Sequence, residues 1–282
     1  MKNFTNFYVK WSSTLGKLEG THQQAWGTKT YNPKKHINEP CVFFGLYGLP
    51  DFYSLWRHKG KKYILWAGTD ILHLKNHYWL EDGGEIRIDN KGICQWINKH
   101  CENWVENYTE TEELKRLGIK AKICPSFLDN VKKFDISFKP GNKVYTSVSG
   151  DDFDRYGWDK IGMLANENPE IEFHLYGNVR KYEFYLFPGI ATTNVFVHGK
   201  VSKEQMNKEI KEMQGALRLI DIEGFSEIIV KSILMAQYPI SLIEYPHMLK
   251  VNQLDEILKK KKPNIVGRNY YLKRLNKFPW VK

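Results

Sequence analysis

The 282-residue sequence predicts an α/β fold made of two domains, and three observations support that prediction. Short apolar runs of strand length alternate with segments whose apolar residues recur at helical spacing, which is the order of strands joined by crossover helices. Runs such as 41–46 are apolar throughout, as strands are when a parallel sheet is buried on both faces. A polar stretch over 132–142, containing Pro140-Gly141, separates two such series and predicts a domain linker.

The half of the chain before the linker is predicted to form a first sheet with helices between its strands. Strands are predicted over 7–11, 41–46, 61–66 and 100–105, and a short strand between Gly118 and Pro125. One helix is predicted over 49–56, with Pro50 in its first turn, and another over 109–118, with early acids, late bases and a final glycine. Residues 76–93 fit neither period well, and Asp82-Gly83-Gly84 indicates a turn between short strands.

The half after the linker repeats the alternation. Strands are predicted over 143–150, 171–178, 194–201, 216–220 and 238–243. Helices are predicted over 158–166, over 203–213 behind a Ser202 cap, over 225–236, over 254–258 and over 269–275.

The segment over 221–236 is the one around which the second half is organised. Glu223 and Gly224 lie where an apolar strand gives way to a helix. Free backbone N–H groups and the helix dipole make such a junction an anion site, most often for phosphate. The alternative interpretation is local: Glu223 and Ser226 cap the helix and bind nothing else.

Composition narrows the class of protein. Forty-two basic and 32 acidic residues give a net charge of +10, which favours nucleic acid, an anionic membrane surface or nucleotide phosphates as partners, or serves solubility alone. No apolar run reaches the roughly 18 residues of a membrane span, and the first residues lack an apolar signal core, so a cytoplasmic protein is expected. The four cysteines form no Cys-x-x-Cys pair, and no phosphate-binding glycine motif or metal-binding Asp-x-Asp is present, so no metal or cofactor is expected.

The segment Glu223-Gly224-Phe225-Ser226 resembles the Glu-Gly-Phe-Gly segment of the retaining family 4 glycosyltransferases, which have the GT-B fold. In that family a second Glu follows eight positions after the first and commonly holds the nucleotide ribose; Lys231 stands there in this chain. The resemblance implies two Rossmann-like domains facing each other across a cleft. It predicts an acceptor-side domain over 1–137, a nucleotide-sugar domain over 138–267 and a C-terminal helix over 268–282 that returns to the first domain.

Other motifs occur in the same order as in the family. Gly68-Thr69-Asp70 is similar to a His-Gly-Thr-Asp element, with Ala67 at the His position. The strand, Glu-rich helix and short strand over 100–129 resemble the end of the family's first domain. Gly150 and Gly157 keep the spacing of a phosphate-binding loop, but Asp151 and Tyr156 replace its Arg and Lys.

The resemblance implies a site carried residue by residue. Glu223 would hold the hydroxyls of the donor sugar, and Asp70 would lie on the acceptor side, unless it only caps a helix. The amides of Gly224, Phe225 and Ser226, with Arg155 or Lys231, would stabilise the departing diphosphate without a metal. Gly150 would approach the phosphates, and His198 would contact the base edge, unless it is a packed strand histidine.

Sugar transfer from a nucleotide-sugar donor to an unidentified acceptor, a glycan, a lipid-linked glycan or DNA, is therefore the predicted function. Two alternatives stay open: a phage-type glycosyltransferase acting on modified bases in DNA, and a non-catalytic binding module on a GT-B scaffold. The run Lys259-Lys260-Lys261-Lys262 predicts either a solvated helix end or a patch for an anionic surface.

Overall fold

A computed structural model describes residues 8–12, 14–15, 26–81, 84–148, 153–178 and 193–280 of the chain. The chain forms two compact units. The first comprises Met1–Asn130, Ile222–Phe225 and Arg274–Lys282, and the second comprises Val131–Asp221 and Ser226–Lys273. The chain passes from the first unit to the second next to the predicted linker, and it returns to the first unit just after the last helix. The predicted domain boundaries at 137/138 and 267/268, and the roles given to the domains, stay predictions.

The first unit is a parallel sheet with helices between its strands. Its elements are β1 Tyr8–Trp11, β2 Lys29–Thr30, β3 Cys41–Phe44, α1 Leu49–Arg57, β4 Lys62–Leu65, α2 Thr69–Lys75, β5 Tyr78–Glu81, β6 Gly84–Arg87, α3 Asn90–His100, β7 Glu102–Val105, α4 Tyr108–Arg116 and β8 Ala121–Ile123. Six strands pair in the order β2-β1-β3-β4-β7-β8, all parallel, and β5 and β6 form a separate antiparallel pair.

Both faces of the sheet are buried at its central strand β3, which explains why that strand is apolar throughout. Successive side chains of β3 alternate between two core clusters: Cys41 and Phe43 belong to one cluster, and Val42 and Phe44 belong to the other. A strand with a core on each side has no polar face to show in its sequence. Phe278, from the C-terminal segment of this unit, fills part of the second cluster.

The second unit holds the remaining elements. They are β9 Lys143–Ser147, α5 Trp158–Glu167, β10 Glu172–Tyr176, β11 Val195–Gly199, α6 Lys203–Glu209, β12 Gly215–Arg218, α7 Glu227–Leu234, β13 Ile240–Ser241, β14 Leu249–Lys250, α8 Glu256–Lys259 and α9 Ile265–Leu272. The strands pair in the order β11-β10-β9-β12-β13-β14, all parallel. Counted within the unit this is 3-2-1-4-5-6, the strand order of the Rossmann fold.

The predicted α/β class with two Rossmann-like domains is confirmed. Several elements differ in detail. The sequence prediction lacks helix α3, although the Asp89 side chain caps it by accepting from the N–H of Gly92. The strand predicted over 238–243 forms only at Ile240–Ser241, directly after Pro239, which has no N–H to donate to a ladder.

The last helix lies earlier than predicted. It spans Ile265–Leu272, begins behind the Asn264 cap and packs in the second unit, where Arg268 Nε donates to the Leu234 carbonyl at 2.6 Å. The residues after it, Arg274–Lys282, are counted with the first unit. Among the described residues, no helix is long and apolar enough to cross a membrane.

Candidate functional site

Asp70 lies at the carboxyl edge of the first unit's sheet, in the first turn of α2. Its carboxyl group is fully buried and accepts hydrogen bonds from the N–H groups of Leu46 at 3.0 Å, Ala67 at 3.1 Å and Ile71 at 2.9 Å. Burial raises the pKa of Asp70 to about 7, although the backbone donors act in the opposite direction. Gly68 is the N-cap residue of α2, and among the described residues no side chain caps that helix, so the bonds to Leu46 and Ala67 instead join the first turn of α2 to the segments that follow β3 and β4. The acceptor-side role of Asp70 stays a prediction.

Two further acids follow β7 at the same edge. Asn107 caps α4, since its Oδ1 accepts from the N–H of Glu110 at 3.0 Å, and Glu110 Oε2 accepts from the N–H of Glu106 at 2.7 Å. Glu110 is fully buried, and its Oε1 has no hydrogen-bond partner among the described residues. Burial and the nearby Glu106 raise the pKa of Glu110 well above its usual range. A neutral Glu110 carboxyl is consistent with this environment.

The predicted Glu-Gly-Phe segment is held by Glu106 and Asn107. Glu106 Oε2 accepts from the N–H of Phe225 at 2.6 Å, and Asn107 Nδ2 donates to the Glu223 carbonyl at 2.8 Å and to the Gly224 carbonyl at 3.4 Å. All five residues belong to the first unit. The sequence predicted the segment but not its partners, which lie more than a hundred positions away.

Two glycines allow the segment to lie this close. Gly68 has φ +85°, and a Cβ there would lie 2.5 Å from the Glu223 Cα. A Cβ on Gly224 would overlap the Glu106 Oε2. Neither position accepts a side chain without a shift of backbone or of a buried carboxylate. Glycine at positions 68 and 224, which the family motifs also have, is therefore required for steric reasons in this chain.

In the second unit, the order of the strands reverses between β9 and β12. Ligands of open α/β sheets bind at the carboxyl ends of the strands at such a switch point. Arg218 ends β12 there, is only 7% exposed, and donates through Nη1 to the Ser147 carbonyl at the end of β9 at 2.9 Å. Its guanidinium lies 4.3 Å from the centre of the Tyr156 ring. Sequence reasoning missed Arg218, although a lone arginine in the apolar run 216–220 was a visible signal.

The helix predicted after Gly224 is present as α7. Ser226 is its N-cap residue and is buried, but its side chain makes no capping hydrogen bond. Lys231 lies within α7 and is only 6% exposed. Lysine side chains are rarely buried to this extent.

The phosphate loop predicted on the family's spacing is described in part. Gly150 and Asp151 lie outside the described residues. Gly157 has φ +69°, and a Cβ there would meet the Leu219 Cβ at 2.5 Å, so this glycine is required where α5 begins. Arg155 is exposed in the turn that precedes α5. Its predicted role at the phosphates stays a prediction.

His198 is part of a side-chain network on β10, β11 and α6. Its Nε2 lies 2.9 Å from the His174 Nδ1, its Nδ1 lies 3.6 Å from the Glu209 Oε2, and its ring stacks on Tyr176. Tyr176 donates to the same Glu209 oxygen at 2.7 Å. These contacts fit the packed-histidine interpretation, and the base contact stays a prediction.

The run over 259–262 is partly neutralised by acids. Lys259 lies 2.8 Å from Glu256 and 3.3 Å from Asp255, and Lys260 lies 3.7 Å from Glu256. These pairs fit the interpretation of a solvated helix end. In the part of the chain that the structure describes, no group of three or more His, Cys, Asp or Glu side chains could hold a metal ion. The predicted metal independence stays a prediction.

The fold is that of GT-B glycosyltransferases. No protein-family model matches the sequence, and no curated protein matches it. The galactosyltransferase WaaB of the lipopolysaccharide outer core superposes with a TM-score of 0.64 and 11% identity over 96% of this chain and 95% of that chain. Anabaena HepE, in complex with UDP and glucose, superposes with a TM-score of 0.58 and 10% sequence identity over 95% of both chains. TarM of S. aureus superposes with a TM-score of 0.53 and 13% sequence identity over 83% of this chain. The matched region is only about half (51%) of the length of TarM.

Proposed function

We propose that this protein is a glycosyltransferase that moves a sugar from a nucleotide-sugar donor to an acceptor. One observation supports this most: in a chain with the GT-B fold, Glu223-Gly224-Phe225 follows the strand β12, which lies at the switch point of a 3-2-1-4-5-6 sheet. The segment also has a defined main-chain conformation, which the hydrogen bonds from Phe225 and Asn107 maintain.

In the proposed reaction, Glu223 binds the hydroxyls of the donor sugar. The side chain of Glu223 is half-buried, whereas its carbonyl accepts from Asn107. Stabilising a departing diphosphate needs fixed donors or cations. The candidate cations are Arg155, Lys231 and Arg218. Arg218 has the strongest geometric support, because it ends β12 at the switch point and its planar fork suits phosphate.

The donor is proposed to be a UDP-sugar, because the structures of HepE and TarM that resemble this chain contain UDP. The proposal includes a glycan or lipid-linked glycan as the acceptor class, metal-independent chemistry and a cytoplasmic location. The net charge of +10 favours a second candidate, transfer to modified bases in DNA. That candidate predicts DNA binding that weakens steeply between about 50 and 200 mM salt.

The first test is a thermal-shift screen with UDP-, GDP-, ADP- and dTDP-linked sugars. A donor at about 100 times its dissociation constant should stabilise the folded protein by about 2.7 kcal/mol, which is readily seen as a rise in melting temperature. A shift with UDP-sugars that is reduced in Lys231→Ala or Arg218→Lys is the expected result. No shift with any nucleotide would exclude a donor site and leave the binding-module interpretation.

A further inference from the structure

We infer that Glu106 and Asn107 are positioning residues for Glu223. They fix the main chain of the segment Glu223–Phe225 so that the Glu223 side chain is presented in one orientation to the donor sugar. This inference rests on the proposed function. It concerns residues for which the sequence motifs give no role.

The two residues hold the segment from both sides of Gly224. Glu106 accepts from the N–H after Gly224, at Phe225, and Asn107 donates to the carbonyl before it, at Glu223. With the weaker bond from Asn107 to the Gly224 carbonyl, three consecutive residues have a main-chain donor or acceptor bound by side chains that directly follow β7. A displacement of the Glu223 main chain would therefore break at least one of these bonds.

Glu106 is itself held in place by residues behind it. Its second oxygen, Oε1, accepts from the N–H of Ser126 at 3.1 Å and from the Ser126 hydroxyl in a short contact. Its own N–H donates to the carboxyl of Glu110. Asn107 Nδ2 lies 3.2 Å from the same Glu110 oxygen. Side chains fixed by such supporting bonds can position a reacting group within fractions of an ångström.

Steric contacts restrict the main chain of the segment Glu223–Phe225 in addition to the hydrogen bonds. The Glu106 carboxylate occupies the space that a side chain at position 224 would need, and Gly68 lies directly against the Glu223 main chain. A buried carboxylate is expensive to maintain, and Glu106 is only 7% exposed. The N–H of Phe225 and the two donors of Ser126 compensate for that cost. The main chain around Glu223 is therefore fixed by contacts with Gly68 and with the Glu106 carboxylate.

The test is the pair Glu106→Gln and Asn107→Ser, with Glu112→Gln as the matched control. The glutamine in Glu106→Gln has nearly the same shape but one acceptor oxygen, so either Phe225 or Ser126 loses its partner. The serine in Asn107→Ser can still cap α4 but is too short to reach the Glu223 carbonyl. Glu112 lies on α4, is exposed and contacts Lys115 at 3.4 Å.

Two measurements separate positioning from folding. The first is donor turnover with saturating acceptor or water: we expect kcat to fall about 10- to 100-fold in both variants, with the donor KM changed less than about three-fold, because misplacement by about 1 Å reduces rates on this scale. The second is hydrogen exchange in peptides that contain the N–H groups of Phe225 and Ser126: one of the two should exchange faster in Glu106→Gln, and both should stay unchanged in Glu112→Gln.

The outcomes are distinguishable. If the wild type turns over no nucleotide sugar, the proposed function fails and the positioning role fails with it. If the wild type is active and both variants keep kcat and exchange protection, the positioning role alone is refuted. If Glu106→Gln does not fold, the positioning role is tested by Asn107→Ser alone, and an unchanged kcat in that variant would overturn the inference.

Discussion

Replacing Asp70 with asparagine should change how the stability of the first unit depends on pH. The Asp70 carboxyl is fully buried, and burial raises its pKa from 3.8 to about 7. Between these two values the folded state holds a proton that the unfolded state has released. The folded state therefore loses stability as pH rises through this range, and the loss is complete only above the folded pKa.

The magnitude follows from the two pKa values. One pKa unit corresponds to about 1.4 kcal/mol, so the shift amounts to about 4 kcal/mol in total, of which about 3 kcal/mol develops between pH 5 and pH 8. The asparagine in Asp70→Asn cannot ionise and escapes this loss. It keeps an acceptor for Ala67 and Ile71 but presents an amide to the N–H of Leu46, which costs about 1–3 kcal/mol at every pH.

The assay is urea unfolding of wild type and Asp70→Asn at pH 5, 6, 7 and 8. We expect the variant to be less stable at pH 5 and to gain about 3 kcal/mol relative to the wild type by pH 8. Burial also raises the pKa of Glu110, with a smaller contribution from Asp70, so Glu110 gives both proteins a downward slope that is slightly smaller in the variant. The difference between the two curves is therefore the quantity to compare. Parallel curves would refute the reasoning, because they would mean that Asp70 has the same charge in the folded and unfolded states at each pH.

Two further predictions concern the candidate site. Gly224→Ala should destabilise the protein by about 1–3 kcal/mol and lower donor turnover, because its Cβ overlaps the Glu106 carboxylate; urea unfolding and donor hydrolysis measure both effects, and an unchanged turnover would contradict the close contact. Arg218→Lys should weaken UDP binding about ten-fold in calorimetry and leave uridine binding unchanged, because Lys keeps the charge but not the planar fork; equal losses for both ligands would instead indicate a structural arginine.

Regular elements can be predicted from sequence where one local signal decides them. The strand β3 is apolar throughout, and α4 has an N-cap, early acids and late bases, so both lie within a residue or two of their predicted positions. Helix α3 has few apolar residues and follows the glycine turn at 82–84, which favours an interpretation as strands. The last helix starts four residues before its predicted start, because Asn264 caps it ahead of the aromatic residues that mark it in the sequence.

The support of the candidate site could not be predicted. The Glu223–Phe225 segment is recognisable as a motif, but Glu106 and Asn107 come from a loop 116 or more positions earlier, and their carboxylate and amide look like ordinary helix-capping residues. Contacts at such separation depend on how the strands order in a sheet, which no local pattern encodes. Arg218 escapes prediction for a different reason: apolar character identifies its strand, and a single charged residue does not change that pattern.

Glu223 is proposed to act on the sugar of a nucleotide-sugar donor. The most direct measurement is the release of nucleoside diphosphate from a panel of nucleotide sugars by wild type and by Glu223→Gln, each first shown to have the same melting temperature. We expect release by the wild type from donors of one nucleotide class, and a loss of about 10²-fold or more in Glu223→Gln with nucleotide affinity retained. Equal release by both proteins would contradict the assigned role of Glu223, and no release by the wild type from any donor would contradict the proposed activity.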